Sequence, residues 1–181
     1  MPSIKQILVS AKRNDIRCLL CSSNLNYKEK NFLNNNNITF VKKTNKSRDF
    51  GSLQIIYKYL MNNQVINKVD KLVVMNTSMV SVDEISVDDK WFQFLINQNE
   101  DFVGITDSIN LDYHIQSYHY SLSNNILSSN QFKKFIIGFN GNSDSRNFAI
   151  KKGELGLSNF VMANHFSHKT FLPITKINNA I

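Results

Sequence analysis

Apolar runs that stop abruptly in small polar residues recur along this chain, and several are followed by a stretch of helical periodicity. The clearest is Asp70 to Ser78, DKLVVMNTS. Leu72, Val73, Val74 and Met75 are consecutive apolar side chains, the pattern of a strand covered on both faces, which predicts a buried central strand. Asn76, Thr77 and Ser78 then place amide and hydroxyl groups where a parallel α/β sheet holds ligands, at the carboxyl end of a strand. Arg17 to Ser22 ends the same way, in Ser22, Ser23 and Asn24, and Ile38 to Lys42 is a short β-branched and aromatic strand. Between them, residues 26 to 33 predict a helix closed by the run Asn34 to Asn37. A helix to about Asn62 carries Leu53, Ile56, Tyr57 and Leu60 at i, i+3, i+4 and i+7. Another from Asp88 shows Trp91, Phe92, Leu95 and Ile96 on one face. Residues 4 to 12 fit either a first helix or an irregular lead-in. Strands alternating with helices of this length predict an α/β fold with a parallel or mixed sheet of the doubly wound kind.

The second half changes character. Phe102 to Ile105 is a short strand ending in Thr106, Asp107 and Ser108, and Tyr113 to Leu122 is predicted as a further strand without an intervening helix, so the sheet gains antiparallel members. Ser129 is placed to cap a helix with Phe132, Phe135, Ile136 and Phe139 along one stripe. After the polar loop Gly141 to Asp144 come a last helix, roughly 151 to 164, and a closing strand from Thr170 to Ile174.

Length and composition narrow the class. At 181 residues the chain is expected to form one domain, 1–181, large enough to bury a core without staples. With 42% apolar residues, 13 Phe, 6 Gly and 2 Pro it is neither disordered nor fibrous. No apolar run approaches a membrane span of roughly 18 residues, and the N-terminus lacks a signal peptide's apolar core, so a cytoplasmic location is expected. Cys18 and Cys21, three apart in an expected strand, point to opposite faces and have no second pair to complete a metal site. The Asn-x-Ser/Thr triplets at Asn37, Asn45 and Asn76 carry little information in a chain with 26 Asn.

Charge adds a direction. The net charge is +7, but residues through Asn76 hold 13 Lys and Arg against 4 Asp and Glu, while the remainder holds 8 against 10. That asymmetry points to an anionic partner at the N-terminal half, either a nucleotide pyrophosphate or an anionic membrane surface. No helix-turn-helix, zinc-finger or RNA-recognition signature accompanies it, so nucleic acid is not the favoured partner.

Five motifs, RDFG at 48–51, NTS at 76–78, DFVGIT at 101–106, HIQSY at 114–118 and GELGLS at 153–158, resemble in that order the rhamnan synthesis F family. The resemblance covers about residues 38 to 172. It implies a single-domain, three-layer, Rossmann-like mixed sheet, the type A nucleotide-diphosphosugar transferase fold. It also implies a rhamnosyltransferase-like, inverting hexosyltransferase that takes a sugar from a nucleotide-diphosphate donor to a growing surface polysaccharide or lipid-linked glycan. The chain departs from the family pattern at two places. Thr77 stands where the family usually has an acidic residue. Type A enzymes use acidic side chains there to hold manganese or magnesium on the diphosphate, and neutral hydroxyls are poor ligands for a hard cation, so no metal ligand is assigned. Gly153 stands where an aromatic residue is expected before Glu154.

Site residues follow from these motifs, each with a plainer structural alternative. Arg48 and Asp49 either pair or cap at a helix start or face the nucleotide. Asn76 and Ser78 are turn residues or donors to the diphosphate and sugar. Thr106, His114, Gln116 and Ser117 are candidates for the acceptor or sugar wall. His114 and Gln116 are predicted to share a strand face with Tyr118 and Tyr120. Glu154 is the candidate base, because inversion requires a carboxylate to take the proton of the attacking hydroxyl; its alternative is a favourable charge in a first helical turn. Asp107 competes for that role. His165 and His168 lack a carboxylate partner and receive no assignment. A binding module of the same fold that has lost its chemistry is the alternative to an enzyme.

Overall fold

The computed structural model describes residues 2–44, 46–76, 86–140 and 145–174. The chain opens with helix α1, Pro2–Arg13, which settles the region where helix and lead-in were both open. A parallel pair follows, β1 (Leu19–Ser22) with β2 (Thr39–Lys42), joined by helix α2 (Tyr27–Asn35). Asn26 caps α2 in a reciprocal box with Glu29, satisfying two backbone donors that the first turn would leave orphaned. Helix α3, Arg48–Asn62, then leads to β3, Lys71–Met75, and helix α4 is Ser86–Asn97.

The larger sheet is mixed. β3 pairs antiparallel with β6 (His119–Ser123), β6 pairs antiparallel with β4 (Phe102–Ser108), and β4 pairs parallel with β7 (His168–Leu172). Short β5, His114–Ile115, pairs with the far end of β4. Of the parallel and mixed arrangements expected, the mixed one is found: among the described residues the parallel pairs are β1 with β2 and β4 with β7, and β4 is the central strand of the larger sheet. β3 is not central. It pairs only with β6 among the described residues and is half-buried along its length. Its unbroken apolar run has another cause, since Leu72 and Val74 pack into the core on one face of the sheet and Val73 into the core on the other.

Those two cores put helices on both faces. Phe102, Ile115, Tyr120 and Leu122 meet α3 together with the helices that follow β6: α5 (Asn124–Leu127), α6 (Asn130–Gly138) and α8 (Leu155–Ala163). Val103 and Ile105 meet α4 through Leu95, Trp91 and Phe94. The predicted stripes hold: Leu53, Tyr57 and Leu60 of α3 and Phe132 and Ile136 of α6 are buried. Buried Gln54 on α3 donates to the carbonyls of Ile136 and Phe139 at 2.8 and 2.7 Å, tying α3 to the C-terminus of α6. A third, smaller core of Leu25, Leu33 and Ile38 lies around α2. Cys21 lies in β1 and Cys18 just before it, both free and half-buried.

The expected strand Tyr113 to Leu122 is broken. Tyr120 pairs with Gly104 and Ile115 with Asp107, so two residues of β4 lie opposite four on its partner, a bulge at Gln116 to His119. Gly104 permits it, because a Cβ there would collide with the Ile115 side chain. The last helical run is also irregular. A short turn α7 (Arg146–Phe148) passes into a π-helical segment, Ala149–Glu154, before α8. No helix among the described residues is long and apolar enough to cross a membrane.

Candidate active site at the carboxyl end of β3

The two irregularities meet. The bulge turns the Ser117 hydroxyl toward Glu154, and it donates to Oε1 at 2.7 Å. Glu154 is the last residue of the π-helical segment, a device that rotates side chains out of α-helical register and is frequent at functional sites. From β5, His114 Nε2 lies 3.4 Å from Glu154 Oε2, while its Nδ1 is 2.9 Å from the Asp112 carbonyl. The backbone of the two elements is joined beside them, where Ile115 N donates to Ser158 Oγ at 3.0 Å. His114 and Ser117 are buried, and Glu154 keeps 22% of its side-chain surface open to solvent. A carboxylate fixed by two neighbours and still reachable is suited to accept a proton.

Asn76 and Asp49 form a second pair. Asn76 N donates to the Tyr118 carbonyl at 2.9 Å, and its side-chain amide donates to Asp49 Oδ2 at 3.1 Å. Burial first, and then the carboxylates of Asp49 and Glu154, push the Tyr120 hydroxyl above the ordinary phenol range. Tyr120 thus marks the place where the first turn of α3, the end of β3 and the π-helical segment converge. The turn into α3 is sharply bent: Ser47 and Arg48 have φ of 27° and 42°, in the left-handed region that non-glycine residues rarely adopt. Buried Ser47 is tied to the Asn140 carbonyl at 3.2 Å, and Lys43 Nζ donates to the Arg48 carbonyl at 2.6 Å. Ser78 and Thr77 lie outside the described residues.

The wall predicted from alternation divides at the bulge, which separates His114 from Gln116. Gln116 instead joins Thr106 and Tyr118: Thr106 Oγ1 donates to Gln116 Oε1 at 2.6 Å, the Tyr118 hydroxyl reaches the same oxygen at 3.1 Å, and Thr106 and Tyr118 contact each other. Asp107 faces neither group. Its carboxylate accepts from Thr170 Oγ1 at 3.1 Å and from Ile174 N at 2.6 Å, and it is a neighbour of Tyr113, whose hydroxyl burial and then Asp107 push up to about 12.

Residues 18–180 match the family model of rhamnan synthesis protein F. The chain belongs to that family. Neither the curated proteins nor the solved structures compared with it gave a match. Family membership ties the chain to rhamnan synthesis and hence to the making of polysaccharide.

Set against the family's motifs, the structure brings Asp49, Asn76, Ser117, His114 and Glu154 around Tyr120, and it places Thr106 with Gln116 and Asp107 in separate networks. Sequence reasoning missed Tyr120, which reads as one more strand aromatic, and Ser158, which lies within the GELGLS motif. It also missed Phe50. A Cβ at Gly153 would collide with the Phe50 ring, so the aromatic group beside Gly153 comes from α3 rather than from position 153. Among the described residues no three His, Cys, Asp or Glu side chains gather.

Proposed function

We propose that this chain is a glycosyltransferase-like domain of the type A nucleotide-diphosphosugar transferase fold, which moves a sugar, rhamnose or a related hexose, from a nucleotide-diphosphate donor to a growing surface polysaccharide or lipid-linked glycan. The observation that carries the reading is the convergence of Glu154, held by Ser117 and His114, with Asn76 and Asp49 about Tyr120 at the end of a strand. Arg48, Asp49, Asn76 and Ser78 form the donor side, with the basic N-terminal half attracting the diphosphate. Thr106, Gln116 and Ser117 belong to the sugar or acceptor side.

In this mechanism Glu154 takes the proton of the acceptor hydroxyl as its oxygen attacks the anomeric carbon and the nucleoside diphosphate departs with inversion. The place of action is the cytoplasmic side of a membrane, where the basic half also meets anionic headgroups. A binding module of the same fold is favoured instead by Thr77, since a lost acidic residue is what decay of a sugar-nucleotide site would leave.

A thermal-shift panel of nucleoside diphosphates and of UDP-, GDP- and dTDP-linked hexoses tests the donor. A ligand at a hundredfold over its dissociation constant stabilises the fold by about 2.7 kcal/mol. Random-sequence DNA that alone stabilises the protein, with steep salt dependence, overturns the reading.

A further inference from the structure

We propose that the loop joining β4 to β5, residues 109–113, is a membrane-inserting tip: Ile109 and Leu111 enter an anionic lipid surface and bring the Glu154 side of the molecule to a lipid-anchored acceptor. The purpose of the tip rests on the acceptor being lipid-linked, as proposed above; the insertion itself does not.

Ile109 and Leu111 are 61% and 71% exposed, the two most exposed aliphatic side chains among the described residues, and they stand on one loop. Single apolar side chains on a surface need no explanation, but Leu111 carries a second oddity. Its φ is 77°, while the other non-glycine residues described at positive φ, Asp15, Asn37, Ser47, Arg48, Gln64 and His165, are all polar. Gly or Asn adopts such a backbone at little cost, so local conformation does not select Leu here. Core packing does not select it either, because the side chain faces solvent. Strain kept without a return in packing points to function.

The loop is held from within. Asn110 N donates to Ser108 Oγ at 3.1 Å, Tyr113 N donates to Asp112 Oδ1 at 2.9 Å, and the Asp112 carbonyl lies 2.9 Å from His114 Nδ1. From Leu111 the chain therefore runs directly through Asp112 and Tyr113 to His114, whose ring lies 3.4 Å from Glu154. Leu172, 41% exposed, pairs with Thr106 near the same end of β4 and extends the apolar surface.

Lipid suits this tip better than protein does. Three aliphatic side chains fall far short of the roughly 800 Å² that each partner buries in a stable protein interface, whereas a bilayer takes up apolar side chains one at a time. The charges agree: Lys151 and Lys152, on the π-helical segment that carries Glu154, are exposed, against the exposed carboxylate of Asp112 on the loop, and the whole chain carries +7.

Sedimentation with vesicles of phosphatidylcholine alone, or of equal parts phosphatidylcholine and phosphatidylglycerol, tests the tip without turnover. The native protein should bind the anionic vesicles more tightly than the neutral ones. Ile109→Ser combined with Leu111→Ser should lower the partition coefficient roughly ten- to a hundredfold, while Ile137→Ser, at an exposed position of α6, leaves it within about twofold. Leu111→Asn suits the backbone, so its urea midpoint should equal or exceed the native one while vesicle binding falls. A lower midpoint would mean that Leu111 is packed rather than presented, and overturns the tip. The emission of Leu111→Trp should be quenched by bromine-labelled acyl chains; that of native Trp91, packed against the core of Leu95 and Val103, should not. Unchanged vesicle binding in the double variant overturns the proposal. So does a concentration-dependent dimer in light scattering that the double variant abolishes, which would assign the tip to a second copy. Binding through the tip with no nucleoside diphosphate released from any hexose donor overturns the transferase reading and leaves the tip supported.

Discussion

The Ser117 hydroxyl donates to Glu154 Oε1 at 2.7 Å, across 37 residues of chain, and joins a strand bulge to a π-helical turn. Neither irregularity is needed to build a sheet or a helix, and both aim at the same carboxylate. If that carboxylate is the base, Glu154→Gln keeps its shape and removes its basicity. Turnover is expected to fall by roughly 10² to 10⁴ while donor affinity stays within a few fold. Native-rate transfer by this variant in a steady-state assay would sink the assignment.

Asp107, the other carboxylate of interest, should behave differently. It is 8% exposed and accepts from Thr170 and from the Ile174 backbone, so it fastens the end of β7 to β4. Asp107→Ala leaves those donors without their charged partner. A loss of about 1.5–3 kcal/mol in urea unfolding is expected, with kcat per folded molecule near native. A stable Asp107→Ala protein without turnover would return the base to this position.

Much of the fold was legible along the chain, and the illegible part has a common cause. The stripes of α3 and α6 follow from period 3.6, and Ser129 does cap α6, accepting from Phe132 N at 3.0 Å. Such signals are local. Strand order is not: nothing within LVVM says that β3 lies beside β6 rather than at the centre, because helices on both faces give an edge strand the same apolar run. The bulge is equally hidden, since the extra residues exist only relative to β4. So the motifs named Ser117, His114 and Glu154, which lie in contact, and Asp49 and Asn76, which pair, while alternation assigned His114 and Gln116 to one wall that the bulge takes apart.

His119, on β6 opposite Met75, gives a pH prediction. It is buried, its ring lies near Trp91 and Tyr118, and neither nitrogen has a hydrogen-bond partner among the described residues. Burial pulls it from 6.5 down to about 4; the Asn76 backbone opposes that shift without reaching hydrogen-bond geometry. Between those values the unfolded chain binds the proton and the folded one does not, so stability rises with pH across this window and is lost on acidification. The loss from pH 7 to pH 4 is expected to reach about 3 kcal/mol from this residue. His119→Phe should remove that part of the slope in denaturant midpoints; an unchanged slope would mean that the ring is not the titrating group.

Metal dependence follows from the strand end. Asn76, Thr77 and Ser78 offer no carboxylate, so donor binding should survive chelation with less than a tenfold loss, or about 1.4 kcal/mol. Thr77→Asp should raise the effect of manganese or magnesium on calorimetric affinity. Strict dependence in the native chain would require another acidic ligand, with Asp83, outside the described residues, and Asp107 the first to substitute.

The contact between Gly153 and Phe50 predicts an exchange of volume. The Phe50 ring, 2% exposed, fills the space beside Gly153 and also meets Phe139 at 5.8 Å, so it belongs to the main core and to the support of Glu154 at once. Gly153→Tyr alone must displace that ring, and overpacking of this kind costs typically 1–3 kcal/mol. Phe50→Ala alone leaves a cavity and should cost about 3–5 kcal/mol. Combined, the tyrosine ring enters the space that the phenylalanine vacates. The double variant should then be more stable than the sum of the single losses by about 1–3 kcal/mol, the coupling expected of residues in direct contact. Urea unfolding of the four proteins measures that term. Additive losses would mean that the two positions do not share one space. A coupled pair that also restores turnover lost in Gly153→Tyr would tie the aromatic ring to the placement of Glu154 as well as to the core.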